Sequence, residues 1–471
     1  MPDQVLEAAA PTTIAPELAV YDKYTGALMA TLNQCTPSDA LIEIERAAAG
    51  AKTAASLPRH ERGRILDTAA GLLERAGDEV SGLIVAEAGK TIRQARKEVA
   101  RAVNTLRLSA AEARRSAGEV VPFDAFAGSE NRQGWFTREP LGLIAAITPY
   151  NDALNLVAHK LGPAIAGGNS IILKPSPLTP LTALRLVDLL TEAGLPADII
   201  TVVLGEPDVG QAIVSSPLVR MVSFTGGFQT GKAIAATAGI KRLAMELGGN
   251  SPVIVFDDAD LEKAVEACVS GSYWAAGQNC IGTQRILVQH PVYEKFRAAF
   301  VAATKALNVG APTDESTDVG PMISAAAAAT AKRKIDEAVS KGASVLAGGT
   351  LHGPVLTPTV LTDVPHECAA WGEEVFAPIV LLESFETTEE AIRMANDCDY
   401  ALQAGLFTKD LDRALRTAKA IDAGGVMIND SSDYRFDAMP FGGSKYGSMG
   451  REGVRFAYEE MTQPKVVAIN S

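Results

Sequence analysis

Between Leu141 and Gly248 the chain alternates short apolar runs with helical stretches, and this alternation limits the possible folds more than any other feature. Leu143–Ile147, Ser170–Leu173, Ile200–Val203 and Met221–Phe224 have the continuous apolar character of strands covered on both faces. Between them the periodicity predicts helices over Ala153–Ala166, Leu181–Ala193, Val209–Ser215 and Gly231–Ala238. Strand–helix–strand order builds a parallel sheet, and such a sheet gathers ligands at the carboxyl ends of its strands. A second α/β pattern follows Gly248, with predicted strands Pro252–Val255, Arg285–Val288, Ser344–Ala347, Val355–Val360 and Ile379–Ser384.

Residues 1 to about 37 read as an extended lead-in punctuated by Pro11, Pro16 and Pro37. Helical spacing then begins at Pro37 and predicts further helices over Glu61–Ala76, Asp78–Ala88 and Thr91–Ala117. Gly118 to Pro140 changes character, because Val120-Val121-Pro122 and Trp135-Phe136-Thr137 flank a turn and predict a protruding hairpin. The β-type tail Lys465-Val466-Val467-Ala468-Ile469 would seek an unpaired edge, such as the hairpin of another subunit.

A chain of 471 residues can hold two or three cores, and 47% hydrophobic content is that of an ordinary globular protein. Its net charge of −13 argues against a nucleic-acid or anionic-membrane partner. The five cysteines are scattered with no CxxC pair, and the five histidines show no HExxH spacing, so neither a disulfide framework nor a metal is expected. His366-Glu367-Cys368 is a compact ligand set that reads as a surface loop without a second cluster. No secretory leader follows Met1, and Pro149, Asn151 and Asp152 interrupt the most apolar window, Leu141 to Leu161. A cytoplasmic protein is expected.

Two reactive groups lie 34 residues apart in one stretch: Glu246, in Met245-Glu246-Leu247-Gly248-Gly249, and Cys280, in Gly277-Gln278-Asn279-Cys280-Ile281. A thiolate captures an electron-poor carbonyl carbon, and a carboxylate can take a proton from water to release the product. Phe224-Thr225-Gly226-Gly227 through Lys232 follows a strand and opens a helix, which suits a phosphate or pyrophosphate. It falls short of a P-loop because Ala233 stands where a Ser or Thr would hold Mg²⁺, and a plain glycine-rich turn is the alternative. Asn151, Asn155 and His159 recur every four residues, so they share a helix face that is either solvated or turned toward a ligand. Asn151 could donate to an oxyanion and His159 could meet a polar substrate. Lys174-Pro175-Ser176-Pro177 ends a strand, where the lysine could reach ribose or phosphate, or simply form a turn.

In order along the chain, Asn151 after a Pro-aromatic pair, Lys174-Pro175-Ser176, Phe224-Thr225-Gly226-Gly227, Glu246-Leu247-Gly248-Gly249, Gly277-Gln278-Asn279-Cys280, Glu373-Glu374-Val375-Phe376 and Pro440-Phe441-Gly442-Gly443 resemble the NAD(P)-dependent aldehyde dehydrogenase superfamily. The resemblance runs from about Val20 to Val467. Ile428-Asn429-Asp430-Ser431-Ser432-Asp433 is similar to its lactaldehyde, non-phosphorylating glyceraldehyde-phosphate and phosphonoacetaldehyde branches. The implied fold is α/β: a Rossmann-type cofactor domain (residues 1–117 and 141–247), a catalytic domain (248–446), and an oligomerisation hairpin and tail (118–140 and 447–471). A homodimer or homotetramer is implied.

The resemblance makes Cys280 the nucleophile, Glu246 the general base, and Asn151 with the Cys280 amide the oxyanion hole. NAD or NADP would contact Ile147, Thr148, Pro149, Tyr150, Lys174, Ser176, Pro177, Gly210, Phe224, Thr225, Gly226, Gly227, Thr230, Leu247, Gly248, Glu374 and Phe376. Pro177 stands where many NAD-preferring members carry a glutamate, which leaves NADP open. Positions matching the substrate tunnel are Arg107, Asn155, His159, Arg435 and Phe441. Cations there imply a short polar or anionic aldehyde, although Arg435 could instead pair with Asp433 or Asp437.

Overall fold

Strand Leu143–Ile147 lies in the middle of a six-stranded sheet, paired in parallel with Val219–Thr225 on one side and Ser170–Lys174 on the other. Ile200–Val202 extends the sheet past Ser170–Lys174, and Arg242–Glu246 extends it past Val219–Thr225, both in parallel. Ser448–Met449 closes the latter edge antiparallel. Winding therefore reverses at the central strand, and the reversal opens a crevice between the loops that follow Ile147 and Thr225. The computed structural model describes residues 17–115 and 118–471, so Pro11, Pro16 and the far end of the helix predicted to reach Ala117 lie outside it.

The connecting helices, Asn155–Gly167, Pro180–Glu192, Pro207–Ser215 and Phe228–Thr237, fall within three residues of the predicted bounds. Ile144, Ile171, Ile172 and Leu173 are fully buried between them. Each such side chain contributes about 1.5–3 kcal/mol, which makes the floor of the crevice a rigid platform.

A second sheet has seven strands in the order Ser344–Ala347, Thr359–Thr362, Ile379–Phe385, Thr283–Gln289, Ser251–Val255, Gln403–Phe407 and Gly425–Ile428. All are parallel except the first, which is antiparallel to its neighbour. The predicted strand Val355–Val360 is split, since Pro358 cannot donate to a ladder. Val355–Leu356 pairs with Leu351–His352, whereas Thr359–Thr362 joins the large sheet. In the lead-in, Glu17–Tyr21 and Leu28–Asn33 form an antiparallel hairpin.

The tail, Thr462–Asn470, pairs with Arg132–Pro140 of its own chain, in register from Thr462 opposite Pro140 to Asn470 opposite Arg132. The edge it covers is thus an internal one, and Gly118–Val120 forms the third strand of this small sheet. Among the described residues no helix is long and apolar enough to cross a membrane, and no group of His, Cys, Asp and Glu could hold a metal.

Candidate active site

The carboxyl end of the six-stranded sheet meets the amino end of the seven-stranded sheet around a cavity of about 560 Å³. Tyr150 and Asn151 reach it from the loop after the central strand, and Thr225, Gly226 and Gly227 from the neighbouring strand end. Glu246, at the last position of its strand, and Leu247 enter from the next. The opposite wall carries Cys280, Glu374, Phe376, Arg435 and Phe441. The two reactive groups therefore share one space.

Their approach depends on Gly249, where a Cβ would lie 1.9 Å from the Cys280 carbonyl oxygen, so no larger residue lets the two segments cross. The turn before the cysteine is strained. Ala275, Ala276 and Gly277 hold φ of 51°, 54° and 70°, and only the glycine adopts this without cost. Gln278 secures the turn by donating its amide to the Ala275 carbonyl (3.1 Å) and accepting from the Ile323 amide (2.9 Å). Behind Cys280, the Ser432 hydroxyl donates to the Ile281 carbonyl (2.8 Å), tying segment 430–435 to the cysteine loop.

Burial pushes the Cys280 thiol well above its ordinary range, and the Arg435 charge pulls it back toward ionisation. Burial likewise raises the Glu246 carboxyl strongly, Glu452 adds to this, and Arg435, Lys160 and Arg451 oppose it. Glu246 Oε2 is buried with no hydrogen-bond partner, so this oxygen is free to accept a proton. Glu452, which sequence reasoning passed over, is the hub of the charges below. It accepts from Lys160 (3.2 Å), Thr225 (3.2 Å) and Arg435 (2.9 Å). Burial disfavours its charge, but Lys160 and Arg435 overcome that and hold it ionised. Arg435 thus pairs with Glu452, not with Asp433 or Asp437, while its guanidinium stacks 3.8 Å from the Phe441 ring. Its Nε keeps no partner.

Three tunnel expectations need correction. Arg107 lies outside the cavity and forms a surface pair with Glu74 (2.6 Å). On the same helix, Ile92–Arg114, Arg101 is the residue that lines the cavity, donating to Asp437 (2.8 Å) and Asp152 (3.4 Å). Six residues separate the two arginines, which puts them on different helix faces. Asn155 and His159 sit behind the wall, 0% and 1% exposed, both bonded to Asp437 Oδ1 (3.2 and 2.9 Å). The helix starts only at Asn155, so its phase turns Leu156 toward the cavity. Of the expected polar stripe only Asn151, which precedes the helix, reaches the cavity.

Of the expected cofactor contacts, Pro149, Tyr150, Thr225, Gly226, Gly227, Leu247, Glu374 and Phe376 line the cavity. Glu374 accepts the Gly249 amide (2.9 Å) and is pushed up to about 7 by burial, with Gly248 packed against it. Phe376 meets Tyr150 edge-on at 6.0 Å. Phe224 turns its ring into the core, and Thr225 gives its hydroxyl to Glu452. Ile147, Ser176 and Pro177 are partly buried at strand ends outside the cavity wall, and Thr230 is exposed on its helix. A Cβ added at Gly210 would lie 3.6 Å from the Lys174 stem, and the Lys174 ammonium is lowered by burial while Glu206 and Asp208, two further groups missed in the sequence, pull it upward.

The site suits a dinucleotide on its own evidence. Helix Phe228–Thr237 begins at Gly227 with no side-chain cap, leaving its amides for a phosphate, and Thr148 Oγ1 is buried without a partner.

Residues 11–467 match the aldehyde dehydrogenase family. Aspartate-semialdehyde dehydrogenase 1 of Pseudomonas canavaninivorans is 58% identical, over 97% of this chain and 97% of its own. The crystal structure of aldehyde dehydrogenase 21 from Physcomitrella patens, in complex with the reaction product succinate, superposes with a TM-score of 0.94 at 37% identity, covering 97% of this chain and 96% of that one. Glyceraldehyde-3-phosphate dehydrogenase from Methanocaldococcus jannaschii, complexed with NADP, gives 0.93 at 37% identity, over 98% and 100%. The chain belongs to the aldehyde dehydrogenase family and is an NAD(P)-dependent enzyme that oxidises aldehydes to carboxylic acids.

Proposed function

We propose that the aldehydes oxidised here are short and carry a negatively charged end, held by Arg435 and Arg101 while the carbonyl meets Cys280. The observation that carries this reading is the pair of guanidinium side chains, Arg435 and Arg101, lining the same cavity as Cys280. Among the described residues Glu452 accepts from only one Arg435 nitrogen, so the guanidinium keeps donors that a carboxylate, phosphate or sulfonate could engage. The similar proteins fit: one is named for aspartate semialdehyde, one holds succinate, and one is named for a phosphorylated aldehyde.

The Cys280 sulfur attacks the carbonyl carbon, and the Asn151 amide with the Cys280 backbone N–H receives the developing oxyanion. Lys174, Gly226, Gly227 and Glu374 would hold NAD(P)⁺, which would supply the hydride acceptor for the oxidation. Glu246 then takes a proton from water, whose oxygen attacks the thioester and releases the acid and the Cys280 thiol. Substituting Arg435→Ala should lower kcat/KM for succinate semialdehyde relative to uncharged butanal by about a hundredfold, the loss typical of one buried charged contact. An unchanged ratio in NAD(P)H assays would remove the anion from the substrate description.

The small sheet leaves Val120, Trp135, Val466 and Ile469 between 43% and 81% exposed. Large exposed apolar groups on one sheet mark an interface, so a homodimer or homotetramer is expected by light scattering. Monomers at micromolar concentration would contradict this. Five unpaired thiols fit a reducing, cytoplasmic setting.

A further inference from the structure

One pair of buried charges has no part in the chemistry described above. Lys90 and Glu98 are 3% and 1% exposed, do not line the cavity, and lie 2.7 Å apart. Lys90 follows Gly89, whose φ of 75° ends helix Gly77–Ala88, and Glu98 lies on helix Ile92–Arg114. A buried ion pair often adds no net stability over apolar packing, so what this one touches is more telling than its charge. Lys90 Nζ also donates to Asp152 Oδ1, and Glu98 Oε1 accepts the backbone amides of Leu154 (2.8 Å) and Asn155 (3.2 Å). The second Asp152 oxygen accepts from Arg101 (3.4 Å).

These contacts surround one turn. Residues 151–154 join strand Leu143–Ile147 to helix Asn155–Gly167, and Asn151 stands at the start of the turn, outside both elements. The helix has no side-chain cap of its own at Leu154, so Glu98 takes its first amides from another helix. Burial disfavours the charge on Asp152, but Lys90 and Arg101 overcome that and keep it ionised. Both ends of the turn are thus tied to buried charges, and the aim of the Asn151 side chain follows from its backbone. We propose that Lys90 and Glu98 are positioning residues for the oxidation: through Asp152 and the amides of Leu154 and Asn155 they hold Asn151 where its own amide meets the oxyanion. This rests on the reading above that Asn151 receives the oxyanion. Such a donor acts only within about 2.7–3.1 Å of the oxygen, so a small shift of the turn costs the transition state more than it costs binding.

A double-mutant cycle in the intact enzyme tests this, read as the single-turnover rate of NAD(P)H formation with enzyme in excess over succinate semialdehyde. Lys90→Met combined with Glu98→Gln removes both charges together at similar volume. In the wild-type background this pair should slow the single turnover by about tenfold or more, while cofactor binding, followed by fluorescence quenching, changes by less than about twofold. In an Asn151→Ala background, itself slower by about 10²–10³-fold, the same pair should cost less than about twofold, because the group it positions is gone. Equal losses in both backgrounds would make the pair merely structural and overturn the proposal, as would an unchanged rate in the first. An Asn151→Ala enzyme within about tenfold of wild type would instead overturn the oxyanion reading, and the proposal with it. Glu98→Gln alone takes the place of the pair if the doubly substituted enzyme does not fold.

Discussion

A Cys280→Ala enzyme will form no measurable NAD(P)H from any aldehyde, a loss on the order of 10⁵-fold or more. No other cysteine can substitute. Cys268 and Cys368 are buried, and Cys35 and Cys398 are not on the cavity wall. Alanine removes the sulfur without adding bulk to the strained turn, so the cavity and the cofactor groups should persist. Cofactor binding, followed by quenching of protein fluorescence, should therefore survive while the absorbance of reduced nicotinamide stays flat. Turnover within a hundredfold of wild type would mean that the carbonyl is captured elsewhere.

The second large effect should come from Glu246→Gln. The first half-reaction does not need this carboxylate, so a rapid burst of about one NAD(P)H per site is expected, followed by steady turnover slowed by about 10²–10⁴-fold. The burst is the diagnostic part, because it separates thioester hydrolysis from thioester formation. Linear progress curves without a burst would assign Glu246 a different role. A pH profile adds an independent check. The base must be ionised to act, and burial with Glu452 nearby raises its carboxyl well above the ordinary value. Turnover should fall as pH drops through that raised value, at higher pH than an ordinary glutamate would give, and this acid limb should be absent from the Gln variant.

Much of this site could be read from the sequence, because its parts lie at strand ends whose apolar runs are unmistakable. Leu143–Ile147 and Ser251–Val255 advertise themselves by β-branched or aliphatic composition, and the site lies just beyond the first and just before the second. Gln403–Phe407 and Gly425–Ile428 escaped because glycine interrupts Gln-Ala-Gly-Leu-Phe and opens Gly-Val-Met-Ile, leaving apolar runs too short to stand out. Phase errors account for the tunnel. Asn155 and His159 follow Asn151 at helical spacing, yet Asn151 precedes the helix, so the three never share a face. Arg101 and Arg107 both looked available, and only the packing of the helix distinguishes them. Glu452 had no local signature at all, since its partners at 160, 225 and 435 come from distant parts of the chain.

That last feature has a bearing on how the interior closes. Lys160 and Arg435 lie in the interior and both pair with Glu452, which comes after them in the sequence. Without Glu452 both cations would face the interior without their counter-charge, an arrangement that disfavours tight closure. One carboxylate late in the sequence thus ties together cations contributed by two distant parts of the chain.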